Sequence, residues 1–359
     1  MGVGPLAKTA KRPHIPAMPI ALSILDQSSV VTGRGPDDAI RETLALARMA
    51  DQWGYHRYWL AEHHNSSAHA GSAPEILISA IAATTRRIRV GSAGVMLPHY
   101  AALKVAEQFR VLEAIAPGRI DLGLGRAPGS DGRTAYALNP NAGTAADQFP
   151  QQIRDLQGWL GDGLPVDHPF RAVTASPAVP TKPELWILGS SDYGAQVAAF
   201  FGLPYCYAYF ITDGAGSEQA MELYHQGYRP SAANPTPNGA LAVFALTAAT
   251  EAEAHRLFSS RALARLWRDQ GRFLPLPSPE EADAYAYSTA ERAHVQRLRD
   301  RALIGTPAQV RAGIEALAAA HGASEVAILS PCHSAAARAE SYRLLAAEFA
   351  LEAPARLVA

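Results

Sequence analysis

The chain has few of the residues that mark several large protein classes. Only two of its 359 residues are cysteines, Cys206 and Cys332, and they form no CxxC pair. That excludes a disulfide scaffold and a cysteine-rich zinc module, and it fits a reducing cytoplasm. Lysine is almost as scarce: Lys8, Lys11, Lys104 and Lys182 are the only four, none follows a glycine, and there is no phosphate loop of the GxxxxGK type. GxSxG and HExxH are missing too, which removes the usual markers of serine hydrolysis and zinc-dependent proteolysis. Charge of one sign is absent, with 32 basic against 33 acidic side chains and a net charge of −1. No broad field is available to hold a nucleic-acid backbone, so an anionic ligand must be held by local groups.

Two stretches imitate targeting signals and fail on inspection. Lys8, Lys11 and Arg12 precede an apolar run ending at Leu25, but Pro13, Pro16 and Pro19 interrupt it and Asp26-Gln27 stands where small cleavage-site residues belong. Residues 1–19 read as an N-terminal extension and 20–359 as one domain. Tyr193 to Thr212 carries no formal charge over 20 residues, enough to span a bilayer, yet Gly202-Leu203-Pro204 divides it into a helix and a strand. Neither a membrane nor a nucleic acid is expected as a partner.

What the chain has is alternation, and 48% apolar residues to build a core. Short apolar runs at Ala21–Leu25, Arg57–Ala61, Ile88–Val90 and onward, Ile120–Leu124, Leu185–Leu188, Tyr205–Phe210, Leu241–Leu246 and Glu325–Leu329 read as eight strands. Between them lie helical faces, such as Ile40, Leu44, Ala47 and Trp53, or Val105, Phe109, Leu112 and Ala116. Further helices are signalled by Pro74 running to Thr85, Gln148–Leu160, Ala195–Phe201, Glu218–Tyr224, the capping box Thr250-x-x-Glu253, and the frame of Thr306, Pro307 and Gly322. Eight strand–helix repeats predict an α/β chain closed into a parallel barrel, with an open doubly wound sheet as the alternative. Two connections are long, Arg126 to Asp147 and Asp269 to Thr289. The second, rich in Pro, Tyr and Glu, reads either as a mobile lid or as a passive insertion.

The chemistry gathers at strand ends. Strand two runs into Glu62-His63-His64, where successive residues face opposite ways, so the histidines are poor joint ligands for one metal and no metal is expected. One would face the pocket and suit proton transfer. Gly91-Ser92-Ala93-Gly94 closes strand three with side chains small enough to let a flat ligand approach. Strand four ends at Arg126, and strand five at Gly189-Ser190-Ser191-Asp192-Tyr193-Gly194 before a helix. A helix N-terminus with two serines and an arginine opposite makes a phosphate cradle, although plain N-capping would use the same serines.

With these segments assembled, the chain resembles the flavin-dependent luciferase-like monooxygenases, relatives of bacterial luciferase. The resemblance is carried by Tyr58-Trp59-Leu60-Ala61-Glu62-His63-His64, by Val90 through Pro98, by Gly118 through Arg126 and by Leu188-Gly189-Ser190-Ser191. It implies a (β/α)8 TIM barrel with an insertion between strands seven and eight, usually dimeric, that binds reduced FMN supplied by a separate flavin reductase. Reaction with O2 would pass through a C4a-hydroperoxyflavin and oxygenate a small organic substrate. The resemblance places His63 at the family's catalytic position, with Glu62 and His64 beside it. Ala93 and Gly94 fall at a non-proline cis peptide under the flavin ring. Arg126, Ser190, Ser191 and Gly194 match phosphate-binding positions with Tyr193 nearby, and Tyr209 matches an aromatic residue near the flavin. Luciferase has an acid at the position of Ser190 and a cysteine at that of Gly125, so light emission is not implied. Two other readings remain: an enzyme of the same fold using the deazaflavin F420, and a flavin-binding protein without turnover.

Overall fold

The computed structural model describes residues 20–231 and 233–352, so the extension expected at 1–19 lies outside the described residues. Nine strands form: β1 (Ala21–Asp26), β2 (Arg57–Leu60), β3 (Arg89–Met96), β4 (Ile120–Gly125), β5 (Glu184–Gly189), β6 (Tyr205–Tyr207), β7 (Gly239–Thr247), β8 (Leu303–Gly305) and β9 (Glu325–Leu329). Consecutive strands pair in parallel from β1 to β7, and β9 joins β7 to β1, so eight strands close on themselves. The open doubly wound alternative is thereby excluded. The eighth barrel strand is β9.

The period-two alternation of each strand sorts side chains into two cores. Leu25, Trp59, Trp186, Phe244 and Leu329 point inward and pack together. Their chain neighbours Ile24, Tyr58, Ile187, Val243 and Ile328 point outward and meet the helical layer. Both faces being buried explains why the strands read as continuous apolar runs.

Charge closes the N-terminal end of the barrel. Arg57 opens β2 and binds Asp121 at 2.9 Å, Glu184 at 2.8 Å and Glu325 at 3.0 Å, while Trp59 Nε1 donates to Asp121 at 3.0 Å. All three acids lie at or next to the first residues of their strands. The C-terminal ends, where the long connections lie, are left for chemistry.

The structure departs from the sequence expectation at several places, among them helices Gly132–Leu138, Ala142–Ala145 and Thr289–Arg301 in stretches where none was expected. Strand six stops at Tyr207, and Tyr209–Thr212 forms a single helical turn instead of continuing it. A strand not foreseen, β8, extends β7 beyond β9 by pairing Ala245 with Leu303. The Asp269–Thr289 stretch carries a helix, Pro279–Ala284, with a Ser278/Glu281 capping box. It is strapped to the loop after β1 by Leu276 N–H to Val30 O at 2.8 Å and Thr32 N–H to Leu276 O at 2.9 Å. Among the described residues no helix is long and apolar enough to cross a membrane. The uncharged run at Tyr193–Thr212 divides, as its Gly-Leu-Pro implies, at Gly202, which takes the left-handed conformation at φ 61°.

Candidate active site

Glu62, His63 and His64 leave β2 at the barrel mouth, and the structure gives each a different task. Glu62 is 2% exposed. One carboxylate oxygen accepts from His64 Nε2 at 2.7 Å and Tyr100 OH at 2.6 Å; the other accepts from the Met96 backbone N–H at 3.0 Å. With both oxygens engaged, Glu62 braces the end of β3 and holds His64 beside it. Sequence spacing could not show this, because Tyr100 and Met96 lie more than thirty residues downstream.

His63 turns the other way, as strand alternation predicts. Its ring stacks on His69, centroids 4.5 Å apart and planes at 21°. Its Nδ1 is buried without a hydrogen-bond partner. Burial, helped by the charges of His64 and Arg268, lowers the His63 pKa to about 4; burial, with His63, Arg268 and Arg261, lowers that of His69 to about 3. Both rings are neutral near pH 7. They open on a groove of about 650 Å³ that Pro36, Ile40 and Asn65 also line. His69 was not singled out by the sequence, since it sits in an irregular loop.

The Ala93–Gly94 peptide is cis, at the place the resemblance marks. Ala93 rests on the inner apolar cluster with Leu188. A Cβ on Gly94 would come within 2.7 Å of Gly123 O, so only glycine lets β3 lie this close to β4 there.

Arg126 is exposed just past β4 and binds no carboxylate among the described residues; its guanidinium lies 4.0 Å from the Tyr193 ring centroid. Ser191 is the N-cap of the helix Asp192–Phe201 but makes no side-chain capping bond. Simple N-capping therefore does not account for it, and the first-turn N–H groups and the hydroxyl remain available to an anion. Gly194 packs against Tyr205 and Gly189, which brings the turn back over the end of β5. The loop after Arg126 is held by His99 Nε2 to Pro128 O at 2.7 Å and His64 N–H to Gly129 O at 3.2 Å, linking the two halves of the mouth. Tyr209 stands apart from this group. Because strand six ends early, its ring turns edge-on to His321 at 6.0 Å and lines a small cavity of about 30 Å³ with Leu317 and Arg261.

The family model for the luciferase-like monooxygenases matches residues 18–325. A relative from Bacillus subtilis, named N-acetyl-S-alkylcysteine monooxygenase, is 37% identical over 91% of this chain and 97% of its own. The solved structure of apo-MsnO8 is 38% identical with a TM-score of 0.83, covering 93% of this chain and 98% of that one. Two further solved structures share the fold. They are the FMN-complexed oxygenating constituent of 3,6-diketocamphane monooxygenase from Pseudomonas putida (21% identity, TM-score 0.69, 92% and 98% covered) and an F420-dependent secondary alcohol dehydrogenase (14%, 0.62, 92% and 99%). This chain belongs to the luciferase-like monooxygenase family, and its barrel is that of an oxidoreductase.

Proposed function

We propose that the chain is the oxygenating component of a two-component, FMN-dependent monooxygenase. It takes reduced FMN from a separate reductase and uses O2 to oxygenate a small organic substrate. The observation that carries the reading is the pairing of Arg126, without a carboxylate partner, with the uncapped helix N-terminus at Ser191. Across the mouth lies a neutral His63 whose Nδ1 is unpaired. Arg126, Ser190, Ser191 and the N–H groups around Tyr193 and Gly194 would hold the phosphate. Ala93 and Gly94 would offer backbone to the ring above the inner cluster, whose Trp59, Trp186 and Phe244 exclude water. Bound reduced FMN would supply the electrons that activate O2. His63, neutral, can accept a proton at one nitrogen while donating from the other.

A homodimer in the cytoplasm completes the proposal. Ile76, Val111 and Ile115 are 66%, 47% and 44% exposed on the neighbouring helices Pro74–Thr84 and Ala102–Ile115, an apolar surface fit for a second copy. Cys206 and Cys332 are buried free thiols, in keeping with a reducing compartment.

The deciding measurement compares anaerobic binding of reduced FMN and reduced F420, followed by a pulse of ¹⁸O2 with candidate substrates. Tight reduced-FMN binding and one labelled oxygen in a product support the proposal. Preference for F420 supports the deazaflavin enzyme, and FMN retention with no labelled product from any substrate supports a binding protein.

A further inference from the structure

β2 delivers His63 to the barrel mouth, but no hydrogen bond holds its ring there. Nδ1 is buried without a partner, and among the described residues Nε2 has none either. A histidine that moves protons is ordinarily aimed by a bond to its second nitrogen, which fixes the tautomer and the orientation of the ring. The last torsion of a histidine side chain is broad and roughly two-fold. An unbonded ring is therefore free to turn over and exchange the nitrogen it presents.

What lies against His63 instead is a second histidine. The two rings stack with centroids 4.5 Å apart and planes at 21°, and the chain between them folds back to make that contact. His63 N–H donates to Gly71 O at 2.8 Å and closes the loop on its own base. Val30 N–H donates to Ala68 O, and Ala70 N–H to Ser28 O, both at 2.9 Å. His69 is thus paired, antiparallel, with Ser29 in the segment after β1. Gly71 permits the close approach, since a Cβ there would stand 3.2 Å from Ala61 O and 3.4 Å from Ser28 Oγ.

The His69 ring is fixed in turn. Its Nδ1 lies 3.2 Å from Ser66 Oγ, which also accepts from the Ala68 N–H at 3.2 Å. Ser67 Oγ donates to Phe273 O and fastens the same loop to the segment beyond the helix Glu251–Asp269. A ring anchored through its backbone neighbours and one nitrogen becomes a wall for a ring anchored at neither nitrogen. Turning the His63 ring over would sweep its edge through the space that His69 fills.

We propose that His69 is the positioning residue of His63: its face, in place of a hydrogen bond, selects the ring orientation in which His63 meets the reacting molecule. The reacting molecule rests on the monooxygenase reading; the orientation of the ring does not.

The test reads the ring and the reaction separately. In protein carrying ¹³C,¹⁵N-labelled histidine, the His63 ring signals are assigned by their loss in His63→Gln. Wild type should show one narrow set. His69→Leu, which fills space without a flat face, should broaden or double that set, and His69→Phe, which restores a face, should return a single one. Product formed per flavin oxidised should fall about tenfold or more in His69→Leu while reduced-FMN affinity stays within about twofold. In His69→Phe it should recover to within about threefold of wild type. Ser66→Ala frees the His69 ring at its bonded nitrogen; should the leucine variant not fold, it serves in its place and should broaden the His63 signals likewise. The proposal is overturned if wild type already shows two sets, or if the signals stay single and narrow in the folded variant. It is also overturned if the leucine and phenylalanine variants behave alike, or if the signals change and coupling does not. Signals that change as expected, with no product from any protein including wild type, leave the positioning standing and remove the monooxygenase reading instead.

Discussion

His63 and His69 lie face to face, 4.5 Å between centroids, and neither ring is charged at neutral pH. Two imidazoles at this distance cannot both be charged cheaply, and burial disfavours even the first charge. In the unfolded chain each titrates near 6.5, so between about 6.5 and about 4 the unfolded state binds more protons. Stability therefore rises with pH across that window, by up to about 1.4 kcal/mol per unit for each ring, and the contribution is flat above it. Denaturant midpoints of wild type and His69→Phe from pH 4.5 to 7.5 test this, because carboxylate titrations cancel in the difference. The variant should show the shallower dependence, and equal slopes would contradict the neutral stack.

A neutral His63 also fixes what its removal does. His63→Ala should bind reduced FMN within about threefold of wild type, since the phosphate cradle is elsewhere, yet lose about 10²-fold or more in product formed per flavin oxidised. The flavin would still be reoxidised, without coupling to product. Measuring product against oxygen consumed reads this directly, and an unchanged yield would sink the assignment of His63.

Much of the barrel was legible because both faces of each strand are buried, so runs such as Leu241–Leu246 stand out against their helices. Three-residue β8 has no such run; it is held by pairing Ala245 with Leu303, a tertiary contact that leaves no local period. Strand six was overextended because Tyr205–Phe210 is uniformly aromatic and apolar, whereas the chain turns into a helical turn at Tyr209 without a local breaker in the sequence. Arg126, Ser191, Ala93 and His63 were nominated for the site from their places at strand ends. Tyr100 was not, because it acquires meaning only through Glu62, 38 residues earlier, and His69 was not, because it sits in an irregular loop.

Glu62 is expected to act through position rather than chemistry. In Glu62→Gln the amide nitrogen must replace an oxygen that now accepts from Met96, or from His64 and Tyr100, leaving donors facing donors. The cost is about 1–3 kcal/mol of stability. With the β3 end loosened beside Ala93–Gly94, the concentration of reduced FMN needed for half-maximal rate should rise about tenfold, while the rate at saturating FMN recovers to within about threefold. A collapse of the saturating rate would instead make Glu62 a participant in the reaction.

At the opposite end of the barrel, Arg57→Met removes the cation that Asp121, Glu184 and Glu325 share. Arg89 still reaches Asp121, so the network is halved rather than abolished, but Glu325, 3% exposed, loses its ion-pair partner. Uncompensated carboxylates in a dry interior cost about 3–5 kcal/mol. Urea unfolding should show that loss, and flavin affinity of the folded fraction should be unchanged because the mouth is untouched. A mild effect below about 1 kcal/mol would mean water reaches the barrel floor.

The phosphate cradle makes the sharpest prediction, because FMN and riboflavin differ only in the group it would hold. Arg126→Gln should weaken FMN about 10- to 100-fold, the loss of one charge-assisted hydrogen-bonding partner at roughly 1.5–3 kcal/mol, and leave riboflavin affinity as it was. Ser191→Ala should weaken FMN less, by about fivefold for one neutral hydrogen bond. Its melting temperature should stay at the wild-type value, because Ser191 makes no capping bond to lose. A serine serving the fold would behave the other way, lowering the melting temperature by the price of a cap and treating both flavins alike. Anaerobic titration of the two reduced flavins against both variants separates the cases. If FMN and riboflavin weaken in parallel, the helix N-terminus at Ser191 is not where the phosphate binds.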